Sequence, residues 1–279
     1  MSRLRDFLLR GDRWLHTRLG YTVNPNPDIY AAHLSDYDRN LGLRFENEAN
    51  ACIKIVRNHT MLPYTRLLTL YQQVVHCESN GVPGCFVECG VWKGGSVGLM
   101  ALANLKRGPR RRDIHLFDVF DDIPEPDLAS DGEQVVANVS KIIGRPIAAT
   151  GQLAAVKGAY DRFGGCGSLE ENRHLLEEIV RYDPAYLHYH KGFFQQTLPS
   201  ASPKIGDIAI LRLDGDWYAS TKVCLEALFD KVVPGGFVII DDYGSYAGCK
   251  KATDEFMAGK GIKSYLHQVD SSCLYLMRS

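Results

Sequence analysis

LRLDGDWYASTKVCLEALFDKVVPGGFVIIDDYG, residues 211–244, is a strand–helix–strand unit whose two apolar strands both end in carboxylates. Asp214 and Asp216 close the first strand; Asp241 and Asp242 close the second. Between them lie a helical run and a Pro234-Gly235-Gly236 turn. Such a crossover makes the two strands parallel. Ligands on sheets of this kind bind at the carboxyl ends of strands. Three or four carboxylates crowded there repel one another unless a cation sits among them. An oxygen-only set favours a hard ion such as Mg²⁺ over Zn²⁺.

The same alternation extends outward in both directions. CFVECG from residue 85, IHLFDVF from 114 and AYLHYHKG from 185 read as strands one to three. IAILRLDGD and GFVIIDD are the fourth and fifth. Helices are expected at 62–79, 96–105, 131–143, 168–182 and 249–258. The fourth of these opens with a capping box, Ser168 followed by Glu171. Residues 144–167, rich in Gly and Ala, read as a loop insertion. Residues 263–269 and 273–277 form an antiparallel hairpin around Asp270-Ser271-Ser272. The expectation is an α/β fold with a doubly wound, mostly parallel sheet and one antiparallel strand near the C-terminus. Before it, residues 1–20 read as an amphipathic helix and 21–28 as a linker. The polar and helical pieces of 33–59 are placed to cover the mouth of the core.

The chain has 279 residues, 45% of them apolar, enough for one large α/β domain with a modest appendage. A net charge of −1 leaves no footprint for nucleic acid. The basic run KRGPRRRD, residues 106–113, reads as a solvated loop. No apolar run approaches the ~20 residues of a membrane span. Arg3 and Arg5 are followed by no apolar signal-peptide core. A cytoplasmic protein without stable membrane insertion is therefore expected. None of the eight cysteines forms a CxxC pair, which argues against a zinc site or a disulfide framework.

FVECGVWKGGS, residues 86–96, is the second informative motif. A strand ends in Glu88, and Gly90, Gly94 and Gly95 lead to a helix starting near Ser96. Glycines let the backbone turn sharply and let a ligand lie against it. The spacing is not the GxGxxG dinucleotide fingerprint, and no lysine–hydroxyl pair completes a P-loop. An acidic residue before the first glycine suits an amine-bearing ligand better than a pyrophosphate. S-adenosylmethionine has an amino group, a sulfonium and no phosphate. Asp118, ending the second strand, can accept hydrogen bonds from both ribose hydroxyls. Asp121, Asp122 and Glu125 read as an exposed acidic loop, and His188 and His190 as satisfied strand histidines.

FVECGVWKGGS, LFDVFDDIPEP, KGFFQQTLP, LRLDGDWYAST and PGGFVIIDDYG, in that order, resemble the macrocin O-methyltransferase (TylF-like) family. The resemblance runs from about residue 64 to 256. It implies a class I methyltransferase fold and dependence on S-adenosylmethionine and Mg²⁺. It further implies methylation of sugar hydroxyls on glycosylated natural products, hence a sugar-bearing small-molecule acceptor; a homo-oligomer is expected separately, with the 1–20 helix as its arm. Glu88, Gly90, Gly94, Gly95, Ser96, Asp118, Lys191, Gly192, Phe193 and Asp214 would line the cofactor pocket. Asp214, Asp241 and Asp242 would hold the metal, with Asp216 beside it, and Asp214 or Asp216 would take the proton. Residues 1–62 would be a helical arm and lid, with 44–61 over the acceptor, and 63–279 the methyltransferase domain. The insertion at 144–167 is longer than the family pattern, and the first forty residues match none of it.

A sugar hydroxyl is a poor nucleophile at neutral pH, and a free carboxylate of pKa ~4 is a weak base. Most of the activation is therefore assigned to the metal, with a closing lid excluding water. Two other readings stand beside this one: a catechol-type O-methyltransferase with an aromatic diol acceptor, and a non-catalytic binding protein on a degenerate methyltransferase fold. The absent GxGxxG argues against a nicotinamide oxidoreductase.

Overall fold

A computed structural model describes residues 42–279. The arm and linker expected within residues 1–41 lie outside the described residues. Five strands of the sheet run parallel: β1 (Cys85–Cys89), β2 (Ile114–Asp118), β3 (Leu187–Lys191), β4 (Ile208–Leu213) and β5 (Val232–Ile240). A C-terminal pair, β6 (His267–Gln268) and β7 (Leu274–Met277), completes it. The order is β3-β2-β1-β4-β5-β7-β6. β7 runs antiparallel to both β5 and β6. The chain reverses direction across the sheet between β1 and β4, so their carboxyl ends flank a topological switch point.

β1 and β4, at the middle of the sheet, are buried on both faces, which is why they read as nearly continuous apolar runs. Successive side chains serve opposite layers. Phe86, Leu116 and Ile239 join a core beneath helices α1 (Glu46–Val56), α2 (Tyr64–Ser79) and α3 (Gly95–Arg107). Val87, Phe117 and Ile240 join a second core. That one lies under α7 (Phe194–Ala201), α8 (Tyr218–Leu228) and α9 (Ala247–Lys260). Between β2 and β3 come α4 (Leu128–Asp131), α5 (Glu133–Ile143), the insertion and α6 (Leu169–Arg173).

Several local expectations change. Pro234-Gly235-Gly236 is not a turn but part of β5, where the pairing with β4 shifts register between Ile208 and Ile210. A bulge absorbs the proline that a regular central strand would not accept. The capping box at Ser168 and Glu171 is present, but the helix widens to a π-helix at His174–Ile179. Arg112 is not solvated: it pairs with Glu78 and donates to the Val82 and Gly84 carbonyls. The insertion straps the glycine loop. Trp92 Nε1 donates to the Gly165 carbonyl at 3.1 Å, and Asn172 Nδ2 donates to the Trp92 carbonyl at 2.6 Å.

Candidate active site

The carboxyl ends of β1, β2, β4 and β5 meet through short backbone contacts. Gly90 N–H donates to the Phe117 carbonyl, Asp214 N–H to Cys89, and Asp241 N–H to Leu213. At Gly90, with φ of 91°, an added Cβ would lie 1.8 Å from the Asp214 carbonyl oxygen. Only glycine permits β1 and β4 to close to this degree. Trp92, Phe120 and Asp216 all have positive φ here, at 49°, 51° and 58°. Such conformations in non-glycine residues gather where function over-determines the backbone.

These strand ends floor an open cleft of about 320 Å³. A smaller recess of about 50 Å³ opens off it. Gly90, Trp92, Asp118, Tyr160, Asp214 and Asp216 border both. The recess is walled by Val119, Ile123, Pro124, Phe193 and Phe194. The main cleft adds Asp241, Asp242, Arg66 and Asp270.

The residues expected to bind a cofactor divide into two groups. Gly90, Asp118, Phe193 and Asp214 border the cavity. Asp118 accepts from the N–H groups of Val91, Trp92 and Phe120, so it shapes the glycine loop while facing the recess. Burial pushes its carboxyl up, against the pull of those donors. Glu88 and Ser96 do not reach the cavity surface. Ser96 Oγ donates to Glu88, which is fully buried, and Arg212 pairs with the same carboxylate. Gly94 and Gly95 begin α3 beneath the loop without lining the cavity. Lys191 is exposed, and Gly192 contributes its N–H to the Asp118 carbonyl.

Among the acids, Asp214, Asp216 and Asp242 bring oxygens within 4.8 Å of one another. Asp242 Oδ2 is buried and has no hydrogen-bond partner among the described residues. Asp241 also lines the cleft but is paired with Arg66 and with Arg212. Of the expected Asp214, Asp241 and Asp242, the first and last thus cluster with Asp216, while Asp241 is paired with two arginines. Enclosure pushes all three clustered carboxyls up, helped by Asp241 beside Asp214, Asp214 beside Asp216 and Asp216 beside Asp242. Oxygen-only donors and an orphaned anionic oxygen fit a hard divalent cation.

The arginines were not anticipated as site residues. Arg212 is 2% exposed and bonds Glu88, Asp214 and Asp241. A charge inside the apolar run IAILRL was the available signal. Arg66, in the first turn of α2, links Asp241 to Asp270, which it meets through Nε and Nη2. Nothing in its helical context marked it. Asp122 is buried and accepts from Gly158 and Tyr160, so it anchors the insertion and is not part of an exposed loop. His188 and His190 stack around His115 away from the cleft. Of the expected lid, Met61 lines the cleft, whereas α1 packs into the first core.

The family model for macrocin-O-methyltransferase (TylF) matches residues 49–278. The chain belongs to the macrocin O-methyltransferase family. It is accordingly an S-adenosylmethionine-dependent O-methyltransferase. It is 34% identical over 220 residues to the 8-demethyl-8-(2,3-dimethoxy-alpha-L-rhamnosyl)-tetracenomycin-C 4'-O-methyltransferase of Streptomyces olivaceus, covering 78% of this chain and 74% of that protein. It is 32% identical to the mycinamicin III 3''-O-methyltransferase of Micromonospora griseorubida, covering 79% of each. The solved O-methyltransferase NovP superposes with a TM-score of 0.64 at 33% identity, over 79% of this chain and 82% of that one. Among the described residues of this macrocin-type methyltransferase, no helix is long and apolar enough to cross a membrane.

Burial pushes the Glu88 carboxyl from its ordinary 4.5 up to about 7, against the pull of Arg212 and the Ser96 hydroxyl. The folded state therefore holds this proton more tightly than the unfolded one. Its stabilising contribution is complete below pH 4.5 and is lost as pH rises through 7. Unfolding free energies of the parent and Glu88→Gln at pH 5 and pH 8 check this. The parent's standing relative to the variant is expected to fall between the two, and a pH-independent difference removes Glu88 from that titration.

Proposed function

We propose that the enzyme methylates a sugar hydroxyl of a glycosylated natural product, with Mg²⁺ bound by Asp214, Asp216 and Asp242. The observation that carries this is the junction of a partly apolar recess with a carboxylate-floored cleft. A nucleoside suits the recess, and a polyhydroxylated acceptor suits the cleft. The names of the related enzymes, which act on rhamnosyl-tetracenomycin and mycinamicin substrates, support the same acceptor class.

S-adenosylmethionine supplies an electrophilic methyl group on a sulfonium. Mg²⁺, when bound, supplies positive charge that acidifies a neighbouring hydroxyl. The chain's own residues do the rest. Asp118 and Phe193 hold and orient the nucleoside. Asp214 and Asp216 face the shared border of recess and cleft, where the acceptor hydroxyl must approach. One of them takes its proton as the oxygen–methyl bond forms and the sulfur–methyl bond breaks. Met61, Leu62 and Pro63 wall the acceptor side and restrict water. The division at residue 62, with an N-terminal arm and lid, belongs to this reading, as does a homo-oligomer. Static light scattering tests the latter, and a monomer at micromolar concentration removes it.

The test is methyl transfer from S-adenosylmethionine with Mg²⁺ to two acceptors, an unmethylated rhamnosyl polyketide glycoside and a free catechol. Product is expected from the glycoside, mapped by mass spectrometry to the sugar. Methylation of the catechol alone transfers the assignment to an aromatic diol.

A further inference from the structure

Asp131 is a buried carboxylate that borders neither the cleft nor the recess. One of its oxygens reaches a distant element and the other caps its own helix. Oδ1 accepts from the Tyr218 N–H at 2.7 Å, in the first turn of α8. Oδ2 accepts from the Asp127 N–H at 2.9 Å, before α4. A third element closes on it, for an added Cβ at Gly248 in α9 would lie 1.9 Å from Oδ1. Glycine there leaves α9 room to seat directly on the carboxylate. A second tie runs parallel to the first. Trp217 Nε1 donates to the Pro124 carbonyl at 2.8 Å, and its ring meets Tyr246 edge-on with centroids 5.0 Å apart. Immediately before these two anchored residues stands Asp216, in its left-handed conformation.

We propose that Asp131 is a positioning residue that, with Trp217, clamps the 214–218 loop to the 124–131 segment and so aims Asp214 and Asp216 into the cleft. The assignment of those two carboxylates to chemistry rests on the function proposed above; the clamp itself rests on the geometry. A non-glycine residue keeps a left-handed backbone only where its surroundings over-determine it. Around Asp216 the Trp217 N–H donates to the Gly215 carbonyl at 2.6 Å, closing a tight turn. The clamp fixes the C-terminal side of that turn, through the Trp217 indole and the Tyr218 N–H. The chemistry at position 131 is also specific. Accepting from the Tyr218 N–H while also holding the start of its own helix at the Asp127 N–H uses both carboxylate oxygens. Asparagine offers one oxygen, alanine none. Since Pro124 and Ile123 wall the recess, the clamp holds the carboxylates in fixed relation to the nucleoside side as well.

The experiment is hydrogen–deuterium exchange on the full chain, without and with Mg²⁺, combined with calorimetric titration of Mg²⁺ and of S-adenosylhomocysteine. In Asp131→Ala, exchange across 214–218 is expected to rise selectively. Mg²⁺ binding is expected to weaken about tenfold, as loss of a buried charged acceptor implies, with S-adenosylhomocysteine affinity nearly unchanged. Asp131→Asn, keeping one acceptor, is expected to fall between. Trp217→Phe, which removes only the parallel tie, is expected to repeat the pattern more weakly and keeps the test open if Asp131→Ala does not fold. Unchanged exchange at 214–218 overturns the clamp. So does an increase spread evenly over the sheet, which marks general destabilisation. Failure of the parent to bind Mg²⁺ counts against the proposed metal instead, and the exchange arm still decides the clamp.

Discussion

Asp242→Asn is expected to lower methyl-transfer turnover by on the order of a thousandfold while leaving S-adenosylhomocysteine binding nearly intact. The substitution preserves shape and removes one negative charge from the cluster with Asp214 and Asp216. Asp242 Oδ2 is the buried anionic oxygen without a hydrogen-bond partner among the described residues, so an amide there fills no established bond and removes a cation ligand. A metal's share of transition-state stabilisation is several kcal/mol. At ~1.4 kcal/mol per factor of ten, that is about three decades. Excess chelator on the parent should reproduce the loss, and Mg²⁺ should restore the parent but not the variant. Stability should move in the opposite direction. Asp242 is crowded by Asp216, Asp214 and Asp241, and its carboxyl is pushed well up by burial and by them. Removing that repulsion should raise the melting temperature in chelator at pH 8. Full turnover in the variant, or equal loss of nucleoside binding, would show that Asp242 does not hold a catalytic cation.

The pairing of these acids shows where sequence stops being legible. The sheet was readable because its middle strands, β1 and β4, are buried on both faces and read as apolar runs. The expected strands and their parallel-then-antiparallel order appear in the structure. Carboxylates at strand ends were readable for the same reason, since few charges interrupt those runs. Their directions were not. Asp241 and Asp242 are consecutive at a strand end, and consecutive side chains diverge. One turns to Asp214 and Asp216, the other to Arg66 and Arg212. Asp216 returns to the cluster through a left-handed turn after Gly215 that no hydrophobic period encodes. Glu88 illustrates the converse. Its place before the glycine loop suggested ligand contact, yet β1 is buried along its whole length and carries Glu88 inward to Arg212. Asp131 had no sequence signal, because its role depends on Tyr218, 87 residues away.

Arg212→Met is expected to destabilise the fold by about 3–5 kcal/mol, the range for removing one partner from a buried ion pair. Methionine fills much of the same volume, so the effect is electrostatic in origin. The guanidinium is 2% exposed and touches three carboxylates, from β1, the end of β4 and the end of β5. Without it, among the described residues, Glu88 is buried with Ser96 as its remaining donor, and Asp241 keeps Arg66. The loss should depend on pH, and its sign follows from Glu88. Arg212 is what pulls the raised Glu88 pKa downward. Its removal lets that pKa climb further, so more of the folded population carries a neutral Glu88 at pH 5. At pH 8 folding must either bury the unpaired charge or take up a proton from dilute solution. The variant should therefore be closest to the parent in acid and furthest from it in base, with thermal melts at pH 5 and pH 8 as the measure. Adding Glu88→Gln to Arg212→Met should recover part of the loss at pH 8 and little at pH 5. A destabilisation equal at both pH values would mean that the orphaned charge lies on Asp214 or Asp241 instead, at the floor of the cleft.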